Sequence, residues 1–147
     1  MLDVDGVVVH ARPAGGGTWA DDIHRDLGIR LEAFRARFFV PHWDDVVTGR
    51  RPLKEALAAC LPELAPDVTP DRFVDYWFAR DASVDAAVLA DCAALRRDGV
   101  RVLLATNQEH LRAAHLMRGL ALADHVDGIV YSAAVGARKP DRAFYDA

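Results

Sequence analysis

Hydrophobic positions along this 147-residue chain recur at helical spacing through residues 18–98 and gather into short continuous runs after that. Ile23 and Leu27 share one face of a helix that Thr18-Trp19-Ala20-Asp21 opens and Gly28 stops. Leu31, Phe34 and Phe38 follow at three- and four-residue steps until Pro41, which is expected to end their helix. Leu53, Ala56, Leu57, Cys60 and Leu61 trace another apolar face after Pro52, a residue suited to a first helical turn. Thr69-Pro70 opens a helix bearing Phe73, Tyr76 and Trp77. A further helix over residues 84–98 turns Val84, Val88, Cys92 and Leu95 inward, with Gly99 just past its end.

The later pattern is that of strands. Residues 100–105 form an apolar, β-branched run entered from Gly99, which predicts a buried parallel strand. Residues 127–132 predict another. With the first residues of the chain as the opening strand, the order argues for an α/β fold with a doubly wound parallel sheet. Ligands of such folds bind at the carboxyl ends of the strands. Gly15-Gly16-Gly17 is the clearest flexible joint and is read as a hinge.

Candidate chemistry sits at those strand ends. Asp3 and Asp5 lie two apart, so on a strand they point to one side, and Gly6 allows a sharp turn beyond them. One carboxylate can attack phosphorus while a second, kept partly protonated, shuttles protons. A hard cation with oxygen ligands, Mg²⁺, would offset the repulsion between anionic nucleophile and anionic substrate. A plain Asp-Gly turn explains the same residues equally well. A calcium loop does not: aligning its glycine on Gly6 puts Arg12 where a bidentate Glu is required.

Thr106 and Asn107 close the run that begins at Val100, just before a helix carrying Leu111, Ala114 and Met117. Either could bind an anion there or simply cap the helix. Lys139 precedes Pro140, which biases it towards an extended backbone, and could serve as a point charge on a phosphate or as a solvated surface residue.

Taken in order, Asp3-Val4-Asp5-Gly6, the strand ending in Thr106-Asn107, and residues 132–141 around Lys139-Pro140 resemble the haloacid dehalogenase (HAD) superfamily. The resemblance covers nearly the whole chain. It implies a Rossmann-like core at residues 1–10 and 84–147, incomplete at its ends, and a small helical cap at 11–83. It further implies a phosphatase acting on a small phosphorylated metabolite, because the dehalogenase branch lacks the second Asp of the first motif. Asp3 would be the nucleophile, Asp5 the general acid and base, Thr106 with Asn107 the phosphate site, and Lys139 the charge steadying both. Mg²⁺ would be held by the Asp3 side chain, the Asp5 carbonyl and a later Asp. Trp19, His42, Trp43, Arg50 and Arg51 could reach the rest of a substrate, although core packing and solvated surface explain them as well.

Composition narrows the classes. At 52% hydrophobic and 27% charged, the chain can build one core plus a small appended lobe. Its net charge of −4, with basic residues scattered among acids, argues against nucleic acid as a partner. No apolar stretch approaches the roughly 20 residues that span a bilayer, so no membrane role and a cytoplasmic location are expected. Cys60 and Cys92 read as buried free thiols, and the six histidines form no zinc-ligand set.

Only Met1 and Leu2 precede Asp3, and the family's acidic fourth motif would lie beyond Ala147. The expectation is therefore a weakly folded, nearly inactive piece of a phosphatase that is active when extended at both ends. The alternative is a truncated, non-catalytic remnant acting through protein partners.

Overall fold

Leu2 enters the fold as a strand residue. Its N–H donates to the Leu103 carbonyl and its own carbonyl accepts from the Ala105 N–H, both at 2.8 Å, in a parallel bridge to Leu104. The chain turns just beyond: the Val4 carbonyl accepts from the N–H groups of Val7, Val8 and Val9, and Gly6 takes a φ of 76° that favours glycine. β1 (Val9–His10) then pairs antiparallel with β2 (Ser83–Val84), so the chain leaves and rejoins this region side by side. The computed structural model describes residues 1–11 and 17–146, which leaves Gly15 and Gly16 of the expected hinge outside the described residues.

Between β1 and β2 the described chain is helical. α1 (Ile23–Leu27) begins later than Thr18, because the Asp21 carboxylate accepts both the N–H and the hydroxyl of Thr18 and holds a turn there; Gly28 ends it as expected. α2 (Leu31–Phe34) runs through a π-helical turn, Arg35–Phe39, straight into α3 (Val40–Val47). Pro41 therefore does not end the helix. The wider turn lets the Val40 N–H reach the Arg35 carbonyl, and Pro41 falls in the first turn of the restarted helix, where its missing N–H costs little. α4 (Leu53–Leu64) follows Pro52, and α5 (Pro70–Arg80) is capped by the Thr69 hydroxyl, which accepts the Arg72 N–H at 3.2 Å. Phe34, Phe38, Leu57, Leu61 and Phe73 form the centre of this lobe's core.

α6 (Ala86–Arg97) starts after Val84, which belongs to β2, because the Asp85 carboxylate caps it by accepting from Ala87 and Val88. Leu95 is 46% and Val100 48% exposed rather than inward, since the Val100 N–H closes the helix end on the Leu95 carbonyl. β3 (Leu103–Thr106) consequently begins later than the apolar run suggests. Before it, the Asp127 carboxylate accepts the Val102 N–H at 2.8 Å, a bond that holds this carboxyl below its ordinary pKa.

β3 pairs in parallel with β4 (Gly128–Tyr131), placing Thr106 opposite Tyr131. α7 (His110–Ala114), α8 (Ser132–Val135) and α9 (Arg142–Tyr145) follow the strand ends. Val4, Val8, Leu104, Leu116, Leu122 and Val126 make a second core, separate from that of the helical lobe. The α/β class and the parallel pairing agree with the sequence. Cys60 and Cys92 are free and buried, and no helix among the described residues is long and apolar enough to cross a membrane.

Several contacts seat the lobe on the strand region. The Ser132 hydroxyl lies 2.6 Å from the Val47 carbonyl of α3 and 3.2 Å from the Gln108 carbonyl. Gly49 approaches the Ala133 carbonyl so closely that a Cβ would sit 2.4 Å from its oxygen. Arg138 reaches Asp44 at 3.4 Å.

Candidate active site

Asp3 lies on the segment that pairs with β3, and its side chain is about half exposed (51%). Lys139 arrives from the far end of the chain, after α8, and its ammonium sits 2.7 Å from Asp3 Oδ1 and 2.7 Å from the Ala105 carbonyl. Its placement depends on Asn107, whose Oδ1 accepts the Lys139 N–H at 2.8 Å while Nδ2 donates to the Lys139 carbonyl at 3.2 Å. The two-point amide bond fixes the lysine backbone, and the charge then falls beside the carboxylate. Asn107, expected with Thr106 at the phosphate site, uses its side-chain amide to position Lys139. Thr106 ends β3 and is 1% exposed. Neither residue caps the following helix; the Glu109 carboxylate does, accepting the N–H groups of Leu111 and Arg112.

Asp5 occupies a different setting. Gln108, 5% exposed, donates from Nε2 to Asp5 Oδ2 at 2.6 Å and fixes the carboxyl's orientation. One side of Asp5 meets solvent and the other is walled by protein. That burial raises its pKa above the ordinary carboxyl value, Asp81 and Asp3 add to the rise, and Arg112 and the Gln108 bond oppose it. Asp81 and Glu109 are raised as well, again chiefly by burial, while burial lowers Arg112. Asp3 and Asp5 thus hold unlike environments: one carboxylate beside an ammonium and solvent, the other crowded and proton-retentive.

Asp5 lines a cleft of about 300 Å³ together with Asn107 and Gln108 from the strand ends and Trp19, Trp43 and Trp77 from the lobe. Of the side chains considered for the remainder of a substrate, Trp19 and Trp43 line it. His42 is hydrogen-bonded to Arg51, which also pairs with Glu55, and Arg50 pairs with Asp44 and Asp45. Gln108, Asp81, Glu109 and Arg112 escaped the sequence reading. Gln108 and Arg112 lie four apart at the mouth of a helix following a strand, a spacing that could have drawn attention to them. Asp81 carries no local signal.

Among the described residues no three or more His, Cys, Asp or Glu side chains gather to hold a metal. Asp3 and Asp5 are exposed residues, and the Asp3 carboxylate and the Asp5 carbonyl are hard oxygen donors. They suit Mg²⁺ in the mode where one or two carboxylates, substrate phosphate and waters complete the octahedron.

No family model matches the chain. A phosphoglycolate phosphatase of Rhodospirillum rubrum is 30% identical over an alignment covering 97% of this chain, which spans 61% of that relative's length. Among solved structures, a HAD family enzyme of Bacteroides thetaiotaomicron superposes over 99% of this chain and 73% of its own, with a TM-score of 0.78 at 12% identity. An Asp12Ala mutant of that enzyme, in complex with magnesium and inorganic phosphate, gives a TM-score of 0.69 at 13% identity, with coverages of 99% and 73%. A protein described as a predicted HAD-like family hydrolase of Porphyromonas gingivalis gives 0.66 at 18% identity, over 98% of this chain and 70% of its own.

Proposed function

The chain has the fold of the haloacid dehalogenase superfamily, and on that premise we propose that it is a Mg²⁺-dependent phosphatase working through an aspartyl phosphate on Asp3. Its substrate is a small phosphorylated metabolite and its setting the cytoplasm. The observation that carries this reading is the ion pair of Lys139 with Asp3, built from opposite ends of the chain at the strand ends, beside a second carboxyl of raised pKa. The phosphatase name of the R. rubrum relative and the magnesium and phosphate bound to the B. thetaiotaomicron enzyme support it. Residues 11–83 act as a cap over a core of 1–10 and 84–147.

In this mechanism an Asp3 oxygen attacks phosphorus as the ester P–O bond breaks. Asp5, whose carboxyl burial shifts towards the acid form, delivers a proton to the leaving alkoxide. A water then attacks the phosphoryl group, Asp5 takes the proton back, the Asp3–phosphorus bond breaks, and inorganic phosphate leaves. Lys139 limits the repulsion between Asp3 and the incoming phosphate, and Thr106, at the end of β3, serves in this reading as the phosphate ligand. Mg²⁺, held by the Asp3 carboxylate and the Asp5 carbonyl, would supply further neutralisation of charge.

Asp5→Asn tests the division of labour. The variant keeps side-chain size and loses the proton, so phosphomonoester turnover by the full-length protein should fall about a hundredfold or more. Because the Asp5 pKa is raised, the acid form persists to higher pH than for an ordinary carboxyl, and the rate of the first step should decline as pH climbs through that value. The decline should vanish in the variant. A single-turnover pH profile measures it; an unchanged rate and profile would return Asp5 to the role of a turn residue.

A further inference from the structure

Residues 107 and 108 are neighbouring amides with separate partners. Asn107 holds the Lys139 backbone, whereas the Gln108 side chain reaches Asp5 and donates from Nε2 to Oδ2 at 2.6 Å. Gln108 is 5% exposed, and its main chain is pinned as well. Its carbonyl accepts from the Ala133 N–H at 3.2 Å and lies 3.2 Å from the Ser132 hydroxyl, which in turn bonds at 2.6 Å to the Val47 carbonyl of the lobe. Backbone and amide are therefore both fixed, between the end of β3 and the start of α7 and at the place where the lobe is seated. The capping of α7 falls to Glu109, so Gln108 is not needed for it.

The kind of donor matters as much as its place. In the proposed reaction Asp5 gives up a proton in one step and recovers it in the next, so a partner that orients it has to serve both forms of the carboxyl. A cation at this point would bind the carboxylate and oppose the acid. A neutral N–H donates to either form, because the acid keeps acceptor lone pairs beside its O–H. With Oδ2 engaged by Gln108, Oδ1 is the oxygen left to carry the proton.

We propose that Gln108 is a positioning residue for proton transfer, holding Asp5 so that Oδ1 delivers its proton to the oxygen of the leaving alcohol. The inference rests on the reading of Asp5 as general acid. Its consequence is selective: a misaligned acid slows the departure of a basic leaving group and matters little for one that leaves unaided.

Phenyl phosphate and 2,4-dinitrophenyl phosphate share a ring and differ chiefly in the basicity of the phenolate they release. In single-turnover cleavage by the full-length protein with Mg²⁺, Gln108→Met keeps a side chain of similar length and removes the N–H. Its rate with phenyl phosphate should fall at least about tenfold further than its rate with the dinitrophenyl ester. Both rates are taken on one preparation, so a smaller folded fraction cancels from their ratio. Asp5→Asn should move the same ratio in the same direction and further. An unmoved ratio in Gln108→Met beside a moved one in Asp5→Asn would overturn the inference and leave Gln108 with packing alone. An unmoved ratio in Asp5→Asn would instead overturn the reading of Asp5 as general acid, and the inference with it.

Discussion

Asp3→Asn should lower phosphomonoester hydrolysis by the full-length protein at least about a thousandfold, because the substitution removes the attacking oxyanion and keeps the shape of the side chain. The loss should fall on turnover rather than folding. Lys139 would lose its carboxylate partner but keep the Ala105 carbonyl and the two-point hold of Asn107, so the site should stay assembled. Phosphate release measured with and without Mg²⁺, beside thermal melts of both proteins, separates these effects. The expected result is a melt within a few degrees of the unsubstituted protein and no turnover above background. Undiminished hydrolysis, or full activity in excess chelator, would remove the aspartyl mechanism.

The largest effect on stability is expected at Phe34. Its ring is fully buried and touches four others: Phe73 at 4.8 Å, Phe38 at 4.9 Å, Phe39 at 5.5 Å and Trp19 at 6.4 Å between centroids. Phe34→Ala removes the centre of that cluster and leaves a cavity that helices cannot close without moving, at a cost of about 3–5 kcal/mol. That is a large part of the roughly 5–15 kcal/mol that holds an ordinary domain together. Val40, in the same continuous helix and 82% exposed, serves as the control, and Val40→Ala should change stability little. Urea unfolding followed by tryptophan emission measures both. A loss below about 1 kcal/mol for Phe34→Ala would show that the lobe is not organised around this ring. Trp19 and Phe39 also line the cleft beside Asp5, so the same variant should disturb binding there.

Helices whose ends carry their own chemistry were readable in the sequence. Thr69-Pro70 caps α5 and Gly28 ends α1 as the residue types require. Boundaries set by distant partners were not. The Val100 N–H closes a helix on Leu95, and the Val102 N–H goes to the Asp127 side chain, so an apolar run that looks like strand from its first residue enters the sheet only at Leu103. Pro41 misled for a related reason, since the π turn that accommodates it leaves no mark in spacing or composition.

The site divides along the same line. Asp3, Asp5, Thr106 and Lys139 stood out because motifs retain their order along the chain, and the structure brings Asp3 and Lys139 into contact. Gln108 contacts Asp5 from 103 residues away, and Arg112 gains its place through a backbone carbonyl at Asp81; neither relation follows any local period. Asn107 makes an interaction that its sequence neighbourhood does not announce. An amide beside a strand end suggests an anion ligand, whereas only the fold shows that Lys139 occupies both of its hydrogen-bonding ends.

Trapping the covalent species tests the central claim most directly. The full-length protein is mixed with a phosphomonoester labelled on phosphorus and Mg²⁺, quenched in acid within one turnover, digested, and mapped by mass spectrometry. The account predicts a label on Asp3, stable in acid, released by hydroxylamine as an acyl phosphate must be, and absent from Asp3→Asn. Label on any other residue, or turnover with no label on the protein at any quench time, would contradict it.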